Sequence, residues 1–100
     1  MKHALLALLD PDIVYRADFK GKSQVVRGAT AVARQGRAFL RLARFAQPAL
    51  VNGAVGVVVA PYGRLRYVAQ FTITGGKIAQ INVMADPAVL RQLHLAVLSD

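Results

Sequence analysis

Hydrophobic and polar residues alternate with period two from Ile13 to Asp18. Ile13, Tyr15 and Ala17 fall on one side and Val14, Arg16 and Asp18 on the other, the pattern of a half-buried strand. Before it, Ala4 to Leu9 is apolar all round and stops at Asp10-Pro11, which predicts a short buried helix ended by the residue preceding proline. After it, Phe19 to Lys22 supplies a turn and Ser23 to Val26 a returning strand. From Arg27 to Ala46 the period lengthens to that of a helix, with Val32, Phe39, Ala43 and Ala46 on the inward face and Gln47-Pro48 at its end.

The remainder predicts an antiparallel meander. Ala49 to Asn52 bends at Asn52-Gly53 into Gly56 to Ala60, Pro61 to Arg64 forms a turn, and Leu65 to Thr74 returns through Gly75-Gly76 into Lys77 to Met84. In the Leu65 to Thr74 strand, Leu65, Tyr67, Ala69, Phe71 and Ile73 form the core face, and Arg66, Gln70, Thr72 and Thr74 are on the wet one. Asp86 as N-cap and Pro87 at the first helical position open a last helix carrying Val89, Leu90, Leu93 and Val97. Strands joined by tight turns run antiparallel, so this order is α+β.

Composition narrows the class. One hundred residues make a single domain, expected to span 1–100, and 55% hydrophobic residues are too many for a disordered chain. Without cysteine there are no disulfides, thiolate nucleophiles or cysteine-based zinc sites. The apolar runs are too short to span a membrane and no signal-peptide cleavage site follows the first of them, which predicts a cytoplasmic protein with no membrane contact. Thirteen Lys and Arg against five acidic residues leave a net charge of +8. Arg27, Arg34, Arg37, Arg41 and Arg44 share the outer face of the predicted long helix, and no acidic residue lies between Phe19 and Ile81 to neutralise them. The plain reading of that basic surface is a solvated helix face; the sharper one is contact with phosphates or an acidic protein surface.

Candidate chemistry is sparse. His3 and His94 lie near opposite ends with no metal-ligand spacing, no nucleophile has a supporting context, and the glycines read as turn glycines, so neither metal nor cofactor is expected. Tyr15, Tyr67, Phe71 and Met84, with Asn52, are expected to line an apolar hollow under the sheet. Asp18 at its rim would act as a general base if buried there, or simply tie down its own turn.

Five segments, Asp10 to Val14, Ala17 to Lys22, Val26 to Ala29, Pro48 to Gly53 and Asp86 to Leu90, taken in order, resemble the SnoaL-like C-terminal domain fused to a group of extracytoplasmic-function sigma factors. The resemblance implies a nuclear-transport-factor-two-like fold: a cone-shaped, strongly curved antiparallel sheet wrapped by helices. It also implies a non-enzymatic regulatory role, with the domain packing on the sigma-factor core and tuning its engagement with RNA polymerase, and with DNA reached only through that core. The contact motifs of that family fall here on Asp18, Gly21 and Lys22 and on Asp86, Pro87 and Leu90. Phe19-Lys20 stand in place of two glycines, and Ala88-Val89 in place of an inner Asp and Lys. The longer first helix of the family has no counterpart here, so the face it would cover is expected to pair in a homodimer of the isolated chain or to serve as a partner surface. The alternative function is a SnoaL-like binder of a small apolar ligand, or an isomerase or cyclase, built on the same hollow.

Overall fold

The computed structural model describes residues 6–19, 21–40 and 43–98, the side chains of 37–40 and 43 excepted. Strand β1 (Leu9–Phe19) already includes Asp10-Pro11, so the predicted helix end is a strand irregularity instead. Only residues 6–8 are helical before it, and residues 4 and 5 of the predicted helix lie outside the described residues. The Asp10 carboxylate accepts the Asp12 N–H at 2.8 Å, and the register of β1 slips between Leu9 and Val14. Proline has no N–H to contribute to a ladder, and a bulge is where a strand tolerates it.

Strand β2 (Lys22–Arg27) returns antiparallel to β1. Gly28, at φ +93, breaks the strand, donates to Ile13 O at 2.9 Å and accepts from Val32 N at 3.0 Å, which launches helix α1 (Ala29–Leu40). The predicted helix over Arg27 to Ala46 is therefore shorter at both ends. Arg27 closes β2, a 3₁₀ turn occupies Ala43–Phe45, and Ala46 begins strand β3 (Ala46–Val51). Pro48 does not stop β3. Its carbonyl accepts the Leu98 N–H at 2.9 Å, and its missing donor faces the same side, at the last described residue of the neighbouring segment.

Strand β4 (Ala54–Val59) follows a turn in which Asn52 and Gly53 both have positive φ, at 50° and 82°, as a two-residue hairpin of mirror-image type requires. A 3₁₀ turn at Pro61–Gly63 leads to β5 (Tyr67–Thr74), and Gly75-Gly76 leads to β6 (Lys77–Met84). The last predicted helix is a single turn, α2 (Pro87–Leu90), and Val97 belongs to a short strand β7 (Leu95–Val97) on β3.

Among the described residues seven strands form one sheet in the order β2-β1-β6-β5-β4-β3-β7. Two features correct the expected strongly curved antiparallel cone. Strands β1 and β6 run parallel, which makes the sheet mixed, and the sheet is open, with β2 and β7 as its edges, and is neither strongly curled nor closed. Tight turns dictate antiparallel neighbours only between successive strands. The connection from β1 to β6 contains most of the chain, so nothing local forbids a parallel pair.

Hydrophobic burial lies on both faces, and the expectation of one core face and one wet face fails at β5. Ile13, Tyr15, Ala17 and Val83 form one core with Val32 of α1, joined by Tyr67 and Ala69 of β5. Val68, between those two residues, points the other way and is fully buried with Ala49, Val51, Val58 and Leu90. Helix α1 thus covers the β1 end of one face and α2 covers the β3–β5 end of the other. Each fully buried Val or Ile contributes about 1.5–3 kcal/mol, so neither cluster is dispensable in a chain this small.

Candidate functional site

The parallel register that was not predictable also assembles the first candidate surface. Asp18 pairs with Met84, the Asp18 carbonyl accepts the Ala85 N–H at 3.0 Å, and the β1–β2 turn is thereby held beside the start of α2. Gly21 supplies the turn at φ +76, and exposed Lys22 follows it. Across from Asp18, Ser23 Oγ donates to its Oδ1 at 2.8 Å. Asp86 caps α2, its Oδ1 accepting the Ala88 N–H at 2.9 Å, with Pro87 in the first turn. Asp18, Gly21, Lys22, Asp86 and Pro87 therefore meet at one corner of the molecule, two motifs distant in sequence brought together by β6. Leu90 differs from them. It is buried in the second core and roots α2, while Val89, expected with it among the apolar residues of the last helix, is 39% exposed on the same turn.

The expected hollow is divided between the two faces. Tyr15, Ile81 and Phe71 stand in one cross-strand row on the α1 face, and Tyr67 lies on that face too. Met84 packs with the second core on the opposite face. Asn52 is exposed in the β3–β4 turn, where its side chain accepts the His94 N–H. Asp18 is exposed and, three residues from Tyr15 on the same strand, points to the other side of the sheet, so no carboxylate stands beside the tyrosines.

Tyr15 is the chemically distinctive member of that row. It is 3% exposed, and its hydroxyl has no hydrogen-bond partner among the described residues. Burial pushes its pKa up from the ordinary value, and the neighbouring Tyr67 phenol adds to the rise. The phenol is therefore a neutral donor with nothing to donate to. No sequence pattern announces this, because a tyrosine on the apolar side of a strand reads as core.

The basic surface is not one helix face. Arg27 ends β2, Arg34 is exposed on α1, and Arg44 sits in the 3₁₀ turn with its guanidinium 4.8 Å from the Phe45 ring centre. Phe45 in turn meets Tyr62 with ring centres 5.6 Å apart. The side chain of Arg37 and the whole of Arg41 lie outside the described residues. Exposed Arg16, overlooked in the helical pattern, pairs with Val25 and shares the sheet face of Arg27. Among the described residues no group of three potential metal ligands comes together, and no helix is long and apolar enough to cross a membrane.

No known family model matches the chain, and no curated protein matches its sequence. Solved structures do. The chain is similar to the Mycobacterium tuberculosis extracytoplasmic function sigma factor SigJ, at 25% identity and a TM-score of 0.73 over 89% of this chain. It spans only 38% of SigJ, well under half of that protein's length. A de novo designed protein with a curved β-sheet is similar over 91% of this chain and 76% of its own, at 16% identity and a TM-score of 0.61. A candidate isomerase from Bacillus subtilis is similar over 91% of this chain and 78% of its own, at 14% identity and a TM-score of 0.50. These likenesses show a fold shared with part of an extracytoplasmic function sigma factor, with a designed curved-sheet protein and with a protein named as an isomerase.

Proposed function

We propose that the chain is an interaction domain of the kind carried by extracytoplasmic-function sigma factors, acting by binding and not by catalysis. The similarity to SigJ over 89% of the chain carries this reading. The corner formed by Asp18, Gly21, Lys22, Asp86 and Pro87 is its contact surface, for the sigma core and through it for RNA polymerase. The test mixes the chain with the core domains of its cognate sigma factor. Saturable binding that weakens about tenfold in Lys22→Ala and Asp18→Ala, with a matching change in transcription initiation, is expected; a tenfold loss corresponds to about 1.4 kcal/mol. If the wild-type chain neither binds nor alters transcription, the assignment falls.

A second reading, a binder of small apolar molecules, draws on the orphan hydroxyl of Tyr15. The fold likenesses taken by themselves are broader support for this reading, since a designed protein and a candidate isomerase share them, whereas the first depends on the sigma-factor likeness.

A further inference from the structure

Tyr62 stands out from the fold. It is 91% exposed in the 3₁₀ turn between β4 and β5, and its backbone sits at φ 55° and ψ 32°, a left-handed conformation that a bulky aromatic residue rarely adopts. Such a backbone is strained, and a ring that hides so little of itself from water recovers little by burial. The turn is nonetheless tied back to the sheet. The Gly63 N–H donates to the Ala60 carbonyl at 3.1 Å, the Arg64 N–H to the Pro61 carbonyl at 3.1 Å and the Arg66 N–H to the Val59 carbonyl at 2.8 Å. The ring is therefore held out from the surface by a built turn.

Its surroundings are aromatic and basic together. The half-buried Phe45 ring lies 5.6 Å from it, tilted by 50°, and the Arg44 guanidinium lies over Phe45, a cation placed by a ring. Arg64 and Arg66 are exposed on the segment leaving the turn, the Arg66 guanidinium 5.9 Å from the Tyr67 ring centre. No acidic residue occurs between Asp18 and Asp86 in sequence, and among the described residues none of the three arginines forms an ion pair. One exposed aromatic residue on a surface is ordinary. A ring displayed on a strained turn, beside a second ring and three arginines without counter-charges, calls for a ligand that suits both.

We propose that Arg44, Phe45, Tyr62, Arg64 and Arg66 form a site for single-stranded nucleic acid, in which an unpaired base stacks on the Tyr62 ring and the arginines take the flanking phosphates. Every base has a flat π face, and a guanidinium matches the geometry of a phosphate. An acidic peptide would satisfy the arginines but offers no such face to the ring. A duplex offers phosphates but keeps its base faces inside the stack. Only a strand of unpaired nucleotides repeats charge and exposed face in alternation, and RNA and DNA share that chemistry. The site goes beyond the sigma-core contact proposed above and uses none of its residues, so either assignment can fail without the other.

The test titrates the full chain into fluorescein-labelled oligothymidylate and oligouridylate of about twelve nucleotides and reads anisotropy, with the oligothymidylate paired to its complement and polyglutamate as further arms. Wild-type protein is expected to bind the single strands more tightly than either control, and the tighter of the two identifies DNA or RNA as the source. With three phosphates engaged, log affinity should fall against log salt with a slope of about −2, and Arg64→Ala should reduce that slope by about 0.7. Tyr62→Ala should weaken binding about tenfold without changing the slope, and Tyr62→Phe should restore it, because stacking needs the ring and not the hydroxyl. Tyr62→Ala should also melt with wild type, since little of the ring is buried, so its loss of binding is not a loss of fold. Binding of neither single strand overturns the site. Equal or tighter binding of the duplex overturns it as generic charge attraction, and equal or tighter binding of polyglutamate overturns it in favour of an acidic protein surface. Unchanged affinity in Tyr62→Ala removes the stacking on which it rests.

Discussion

Asn52 and His94, forty-two positions apart, hold each other by two hydrogen bonds: the Asn52 N–H donates to the His94 carbonyl at 2.8 Å, and the His94 N–H donates to Asn52 Oδ1 at 2.8 Å. The pair anchors the segment after α2 to the tip of the β3–β4 hairpin, just where β7 starts to pair with β3 through Leu95 and Val51. Asn52 also sits at φ 50°, a left-handed conformation that asparagine tolerates better than most residues.

Two substitutions separate those roles. Asn52→Gly keeps the backbone geometry and removes only the side-chain acceptor, and it should cost about 1 kcal/mol. Asn52→Ala adds the left-handed strain and should cost about 2 kcal/mol in total. Urea midpoints measure both. Equal losses in the two variants would show that the turn conformation contributes nothing, and no loss in either would remove the clamp.

Gly56 is the position where a single methyl group should be least tolerated. It lies inside β4, and a Cβ there would collide with the Ala69 carbonyl of β5 and come within 2.8 Å of Val51 Cγ2. Neither neighbour is a flexible chain end: one is ladder backbone and the other is in the second core. Gly56→Ala should therefore spread β4 from β5 and destabilise by about 3 kcal/mol or more, enough to leave a domain of this size largely unfolded or insoluble. A soluble variant melting within about 2 °C of wild type would contradict this.

Gly56 also shows where local pattern stops being informative. In sequence it is one more glycine near a bend, and its real constraint, the approach of β5, exists only once β4 and β5 are paired. The alternation of Ile13, Tyr15 and Ala17, the Asn52-Gly53 and Gly75-Gly76 turns and the Asp86-Pro87 helix start were all legible, because each depends on neighbours a few residues away. Gly28 was not read as a helix boundary, since an alanine- and arginine-rich stretch keeps helical periodicity across it. The parallel β1–β6 pair leaves no local trace at all, and with it went the curvature of the sheet and the contiguity of Asp18 with Asp86. At β5 the alternation held for Tyr67, Ala69 and Phe71, but Leu65 packs with the second core, Ile73 past a register shift is 56% exposed, and period alone does not say that Val68 has a second core to enter.

The α2 cap provides a test of how firmly the candidate contact corner is built. Asp86 offers its carboxylate to the Ala88 N–H and its carbonyl to the Leu90 N–H, and the single turn so formed delivers Leu90 to the second core. A one-turn helix has no propagation to rely on, so the cap is a large share of its stability. Asp86→Ala should cost about 1 kcal/mol, within the usual range for a lost N-cap, and Asp86→Ser should recover most of it. Thermal melts of the two variants decide the matter; indistinguishable losses would mean that the carboxylate does not act as a cap.

Alkaline pH gives an independent view of the buried phenol. Tyr15 has a folded-state pKa above about 10, its value in an unfolded chain, first because burial penalises the phenolate and second because Tyr67 is near. Above pH 10 the unfolded chain releases this proton while the folded chain keeps it, so the folded state binds more protons and stability falls as pH rises. The contribution is complete below pH 10 and is lost as pH climbs through the raised folded value, at a limiting slope of about 1.4 kcal/mol per pH unit. Tyr15→Phe has no phenol to ionise. Urea midpoints at pH 9 and pH 11 should therefore fall more steeply for wild type than for Tyr15→Phe, with the two proteins nearest in behaviour at the lower pH. Parallel declines would mean that Tyr15 ionises as readily in the folded chain as in the unfolded one, contrary to its burial beneath α1.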